Sequence, residues 1–126
     1  MLSTALRLIP KSIQYKALCK ALNYLTVSHD LNGLNNCVIK LTISDLKKSW
    51  FLTYTEEKFT ETTNKRKANV ELKAKYAIAL SLHNKADIIN ALNNGDITLK
   101  GEPTLVDVIT NNLQALDEKR LKSLSN

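Results

Sequence analysis

The sequence predicts an α+β fold: a roughly five-stranded, mostly antiparallel sheet with one face covered by about four or five helices. Two observations carry this. Four segments between residues 37 and 74 alternate apolar and polar side chains at the two-residue period of strands. The stretch 84–116, NKADIINALNNGDITLKGEPTLVDVITNNLQAL, then reads as helix, turn, short strand, turn, helix. Two amphipathic helices cannot hide their apolar stripes from water alone, and the strands upstream offer the sheet on which they can lie.

Taken in order, residues 11–25 form the first clear helix. Ile13, Ala17, Ala21, Tyr24 and Leu25 lie on one side with Leu18 and Leu22 beside them, and Ser12, Lys16, Lys20 and Asn23 gather opposite. Residues 29–36, with Gly33 and three Asn, are loop-like. A strand follows at 37–43, with Cys37, Ile39, Leu41 and Ile43 on one face. Residues 44–47 turn the chain into a second strand at 48–55, with Trp50, Leu52 and Tyr54 on one face. Glu56 and Glu57 mark the next turn, 58–63 a third strand around Phe59, and 68–74 a fourth with Ala68, Val70, Leu72 and Ala74 inward. The turns are short enough for successive antiparallel hairpins.

Residues 76–82 read as a strand by their apolar run, but their Ala content and their place before Asn84 favour a short helix. Asn84 stands three residues before Asp87, a spacing close to that of a capping box, and Asn93, Asn94 and Gly95 can close the helix in the left-handed conformation. Residues 96–100 are the fifth strand. Pro103, with Thr104 three residues before Asp107, starts the next helix, in which Leu105, Val108, Ile109, Leu113 and Leu116 form one stripe. Residues 117–124 are expected to be a short polar helix, frayed at its end. The whole is expected to be a single domain over residues 1–126, with 1–10 a loose N-terminal segment.

Composition narrows the function classes. Hydrophobic content of 44% and charged content of 24% are those of an ordinary globular chain, and three Gly and two Pro speak against low complexity. No apolar run approaches the ~20 residues of a membrane-spanning helix. The first 29 residues carry four basic side chains and no acid, a loose match to a mitochondrial presequence, but the good amphipathic helix within them favours a place in the fold. Cys19 and Cys37 make neither a disulfide framework nor a metal spacing, so a reduced, cytoplasmic protein is expected.

Chemistry is scarce. His29 and His83 each lack a Cys, Asp or second His at metal spacing, the three glycines stand alone rather than in a phosphate loop, and the acid pairs Glu56–Glu57 and Asp117–Glu118 are sequence neighbours in turns. No catalytic residue, metal site or cofactor is expected, and the chain reads as a non-enzyme. The net charge of +6 gathers at Arg7, Lys11, Lys16 and Lys20 and again at Lys65, Arg66, Lys67, Lys73 and Lys75. Without interleaved aromatics or a helix-turn-helix, the second patch gives no reason to expect nucleic acid. The first could meet anionic head groups, so Arg7, Lys11, Lys16 and Lys20 are candidate contacts for a peripheral position at the inner membrane.

The segment ADIINALNNGDITLKGEPTLVDVITNNLQAL resembles the C-terminal half of sterol-carrier-protein-type domains, with Gly95, Ile97, Leu99, Gly101, Glu102 and Leu105 in the places of that family's helix–Gly–strand–Gly–helix unit. The strands from Cys37 to Lys75 are similar to the same family's sheet. The opening RLIPKSIQYKALCKALN, the Asp45 turn and Trp50 look most like the factor-T branch of bacterial ubiquinone-biosynthesis accessory proteins. The resemblance implies a lipid-binding accessory protein with an apolar cavity between sheet and helices. It would shelter or present polyprenylated quinone intermediates to modifying enzymes, with iron–sulfur hydroxylase subunits of an oxygen-independent route as partners. A general phospholipid or sterol-type carrier, or a membrane-surface interaction module, is the alternative. For a cavity, the candidate lining is Trp50, Leu52, Ile88, Leu92, Leu105, Val108, Ile109 and Leu113.

Overall fold

The computed structural model describes residues 9–27, 29–62, 67–82 and 84–125. Arg7, Lys65, Arg66 and His83, singled out above, lie outside them. Helix α1 (Lys11–Leu25) is followed by a 3₁₀ turn at Asn32–Leu34, and a second 3₁₀ turn, Ser44–Leu46, lies between the first two strands. Strands β1 (Val38–Ile43), β2 (Lys48–Thr55), β3 (Lys58–Glu61) and β4 (Val70–Ala74) come next. Then follow α2 (Tyr76–Leu80), α3 (Lys85–Asn94), β5 (Ile97–Gly101), α4 (Pro103–Gln114) and α5 (Glu118–Ser125).

The five strands form one sheet in the order β3-β2-β1-β4-β5. Three of its four pairings are antiparallel, but β4 runs parallel to β1. This corrects the expected run of hairpins: β3 and β4 are not neighbours, because β3 ends at one edge and the chain returns on the far side of β1. The register explains why nothing is lost. Ile39, Leu41 and Ile43 stand opposite Val70, Leu72 and Ala74, so both strands keep their apolar rows on one face. Extending that row sideways adds Trp50, Leu52, Tyr54 and Phe59 from β2 and β3, and Ile97 and Leu99 from β5.

The opposite face carries a polar ladder. Thr42 donates to Glu71 Oε2 at 2.7 Å, and Lys40 Nζ lies 3.6 Å from the same oxygen. The turn between β2 and β3 holds Glu56 and Glu57 at φ 52° and 63°. Two positive φ values in a two-residue loop match the twist of the flanking strands.

Helix α1 packs along β3 and against the β2 cluster of Trp50 and Leu52. Its buried side is rotated from the expected one. Ile13 is 53% exposed, and Ala17 and Tyr24 face outward, while Gln14 and Tyr15 are buried. Polar chemistry explains the rotation. Gln14 Oε1 accepts from the Trp50 indole at 3.1 Å, and the Tyr15 hydroxyl accepts from the Phe51 amide at 2.8 Å. Asn23 both accepts from the Phe59 amide (2.7 Å) and donates to its carbonyl (3.1 Å). Side-chain amides thereby pin the helix to the edge strand and cover its open backbone groups. Hydropathy periodicity cannot register that.

The helical caps follow the sequence in part. Asn84 accepts from the Asp87 amide at 2.9 Å, and Gly95 closes α3 at φ 78°. Helix α4 starts at Pro103 as expected, but its cap position is Glu102, which makes no side-chain cap bond, and Thr104 lies inside the first turn. The last helix is more than a frayed end. Asp117 accepts from the amides of Lys119 and Arg120, and Arg120 donates to the Tyr24 carbonyl at 2.9 Å with its guanidinium over the Tyr24 ring. These contacts dock α5 against the end of α1.

Candidate functional site

Between the apolar face of the sheet and the helices lies a cavity of about 480 Å³. Its floor is sheet: Ile39, Leu41, Leu52, Phe59, Leu72 and Ile97. Helix α1 contributes Leu18, Ala21, Leu22 and Leu25, and the following loop Leu31 and Leu34. Helix α4 contributes Ile109, Asn112 and Leu113, followed by Leu116, with Ile88 from α3. Leu121 and Leu124 of α5, with Ala79, Leu80 and Leu82, complete the wall. Leu80 and Leu124 are each 47% exposed, so the cavity meets the surface between α2 and α5. Only Thr26 and Asn112 are polar among these residues, and both are occupied. Thr26 donates to the Leu22 carbonyl at 2.7 Å, and Asn112 Nδ2 donates to the Val108 carbonyl at 2.8 Å.

Of the eight residues proposed from the sequence, Leu52, Ile88, Ile109 and Leu113 line this cavity. The other four pack elsewhere. Trp50 sits under the start of α1 with Tyr15, and Lys11 Nζ lies 5.0 Å from its ring centre. Leu92 packs beside Ala74, Ala91 and Ile97. Leu105 is in the solid core with Leu31, Leu34 and Val70. Val108 packs against the same cluster, and its Cγ2 would lie 3.2 Å from any Cβ placed on Gly33. Helix α4 thus divides its stripe: the N-terminal part makes core and the C-terminal part makes wall. Missed entirely were the contributions of α1, α2 and α5. The alternation of β1 and β4 pointed at Leu41 and Leu72, but nothing local marks α5 as a wall.

A second pocket, also about 480 Å³, shares Thr26 and Leu31 with the first. It is polar, lined further by Asn23, Val27, His29, Asp30, Asn32, Tyr54 and Glu57. His29 Nδ1 lies 2.7 Å from Asn112 Oδ1. Because the Asn112 amide nitrogen is spent on Val108, its oxygen faces His29. Nδ1 is therefore assigned as the donor.

Burial raises the Tyr54 pKa, and the Glu57 and Asp30 carboxylates add to the effect, so its hydroxyl stays protonated. Both thiols are also raised, Cys19 by burial and then Glu61, Cys37 by burial and then Glu102, which suits neither to nucleophilic attack. Among the described residues, no group of three or more His, Cys, Asp or Glu could hold a metal ion, and no helix is long and apolar enough to cross a membrane.

The model of the SCP-2 sterol transfer family matches residues 15–114, from the first turns of α1 to the end of α4. The chain belongs to this family. Among solved structures, it is similar to one described as "UbiJ-SCP2 Ubiquinone synthesis protein". The identity is 16% and the TM-score 0.63, covering 85% of this chain and 94% of that one. A sterol carrier protein domain 2 of Helicoverpa armigera aligns at 14% identity and TM-score 0.48, covering 87% and 86%. The sec-alkylsulfatase Pisa1 of a Pseudomonas species aligns at 20% identity and TM-score 0.48, over 74% of this chain and 15% of that much longer one. No curated protein matches the chain in sequence. At 16% identity the first of these bears on the fold alone.

Proposed function

We propose that this protein is a non-enzymatic lipid-binding accessory protein, which holds the apolar tail of a polyprenylated quinone intermediate in the cavity between sheet and helices. The cavity itself carries the reading. A space of about 480 Å³ that opens to the surface leaves its apolar lining in contact with water when nothing fills it. Its walls are almost all aliphatic and offer water few partners. An apolar guest removes the problem, and each five-carbon isoprene unit taken from water is worth about 4 kcal/mol at ~0.8 kcal/mol per carbon. The volume falls within the roughly 300–1,000 Å³ of small-molecule sites.

Family membership and the similarity to a ubiquinone synthesis protein support placing that guest in ubiquinone biosynthesis. The resemblance to the factor-T branch supports the oxygen-independent route, with iron–sulfur hydroxylase subunits as receiving partners. The alternative, a general phospholipid or sterol-type carrier, would use the same cavity. Native mass spectrometry of the purified chain, with extraction and identification of retained lipid, tests the carrier reading. An isoprenoid is expected; a chain that retains neither co-purified nor added isoprenoid or phospholipid is not a carrier. Quinone content of cells lacking the protein, grown with and without oxygen, tests the pathway. A quinone pool that loss of the protein leaves unaltered in both conditions would remove it.

A peripheral membrane contact is proposed on α1, where exposed Lys16 and Lys20 neighbour exposed Ile13. Lys11 already donates to the Ser49 carbonyl at 2.7 Å. Flotation on anionic liposomes should weaken in K16E/K20E, and unchanged binding would exclude this face.

A further inference from the structure

We infer that the polar pocket beside the cavity is a head-group site for an uncharged hydroxyl-bearing ring, a phenol or quinol, and that it turns away anionic head groups such as carboxylates and phosphates. This rests on the carrier reading, since the tail of the same ligand would lie in the apolar cavity. The two spaces share Thr26 and Leu31 as wall, and the His29–Asn112 hydrogen bond joins a residue of one lining to a residue of the other. An amphiphile with a ring at one end matches that change from apolar to polar lining.

The groups of the pocket select its occupant. Tyr54 is only 4% exposed and lines the pocket, yet its hydroxyl finds no hydrogen-bond partner among the described residues. Among the described residues no buried side-chain oxygen or nitrogen lacks a partner, so this hydroxyl opens into the pocket, where a ligand oxygen can take the place of water. Tyr54 offers a donor, while the Asp30 and Glu57 carboxylates offer acceptors, Asp30 Oδ1 also taking the Asn32 amide at 3.1 Å. A ring hydroxyl can both donate to those acceptors and accept from Tyr54. Among the described lining residues there is no lysine or arginine, so a carboxylate or phosphate would face Asp30 and Glu57 without a countercharge. Two other polar members are already used in the fold: Asn23 binds the Phe59 backbone and Thr26 the Leu22 carbonyl.

Four probes with one tail separate head from tail: dodecylbenzene, 4-dodecylphenol, 4-dodecylbenzoate and dodecylammonium, titrated calorimetrically into the full chain at pH 7. The phenol is expected to bind about tenfold tighter than the benzoate. Tyr54→Phe, which removes only the unpartnered hydroxyl, should lower phenol affinity about fivefold and leave dodecylbenzene unchanged. Glu57→Gln, on the exposed β2–β3 turn, should tighten the benzoate relative to the phenol. Equal binding of phenol and benzoate, an ammonium probe that binds tighter than the phenol, or a Tyr54→Phe variant that keeps full phenol affinity would each overturn the head-group assignment while leaving the tail cavity intact. Failure of all four, dodecylbenzene included, would instead remove the carrier reading and this proposal with it.

Discussion

Gly95 and Gly101 flank the same short strand, yet substitution by Ala should separate them sharply. Gly95 closes α3 at φ 78°, and an added Cβ would meet nothing within 4 Å. Its only penalty is the left-handed backbone, about 1 kcal/mol. Gly101 lies at φ 145° opposite Val70, where β5 pairs with β4. There a Cβ would run into the Asn69 carbonyl oxygen and come within 2.7 Å of Val70 Cα.

Neither obstacle is a side chain that can swing aside. The Asn69 carbonyl accepts from the Glu102 amide (3.2 Å), the Asn69 amide donates to Val38 (2.8 Å), and the Asn69 side chain accepts from the Val38 amide (2.7 Å). Making room for the methyl must therefore shift three strand ends together. Overpacking of about 1–3 kcal/mol and backbone strain of about 1–3 kcal/mol give a total of about 2–6 kcal/mol. Set against a typical domain stability of about 5–15 kcal/mol, this is severe.

Urea unfolding followed by circular dichroism measures both variants. Gly95→Ala should move the midpoint slightly with an unchanged slope, and Gly101→Ala should lose several times as much or fail to fold. A Gly101→Ala protein no less stable than Gly95→Ala would refute the argument that backbone proximity, and not turn geometry alone, demands glycine at 101.

Three further outcomes follow from the same contacts. Leu113→Gln places an unpartnered amide on the cavity wall and should cut lipid retention through a cost of about 1–3 kcal/mol, read as the lipid-bound fraction in native mass spectrometry. Gln14→Leu leaves the Trp50 indole N–H without its acceptor and should destabilise by about 1–3 kcal/mol, measured by urea unfolding. Glu71 has its pKa lowered first by the Thr42 hydrogen bond, opposed by burial and helped by Lys40 and Lys73. With a folded pKa below the unfolded one, its contribution is complete above the ordinary carboxylate range and is lost as pH falls through the folded value. Thr42→Val should raise the Glu71 pKa, followed by carboxyl NMR titration, and make stability less steep with pH in that acid window.

Local periodicity determined most of the elements. The alternations in β1, β2 and β4 and the stripes of α3 and α4 are intrinsic to their segments, so strand positions, inward rows and the Asn84 and Gly95 caps could be read one residue at a time. Pairing could not. Whether β4 joins β3 or β1 leaves its inward residues unchanged, because either choice keeps Val70, Leu72 and Ala74 on the same face, and only assembly of the whole sheet decides between them. The buried side of α1 was equally hidden: its orientation is set by amides of Gln14 and Asn23 that bond to residues 36 positions away.

The site shows the same division. An apolar side chain looks alike in sequence whether it faces another side chain or a void, so Leu105 and Leu113 belonged to one stripe until packing assigned the first to the core and the second to the cavity. The sequence by itself determined that this chain has more apolar helix than catalytic chemistry. Only the tertiary structure decided that α5 docks at the end of α1, that the layers leave a cavity between them, and that a polar pocket lined by Tyr54 stands beside it. Each of those features depends on distances between segments far apart in the chain, and no local pattern encodes them.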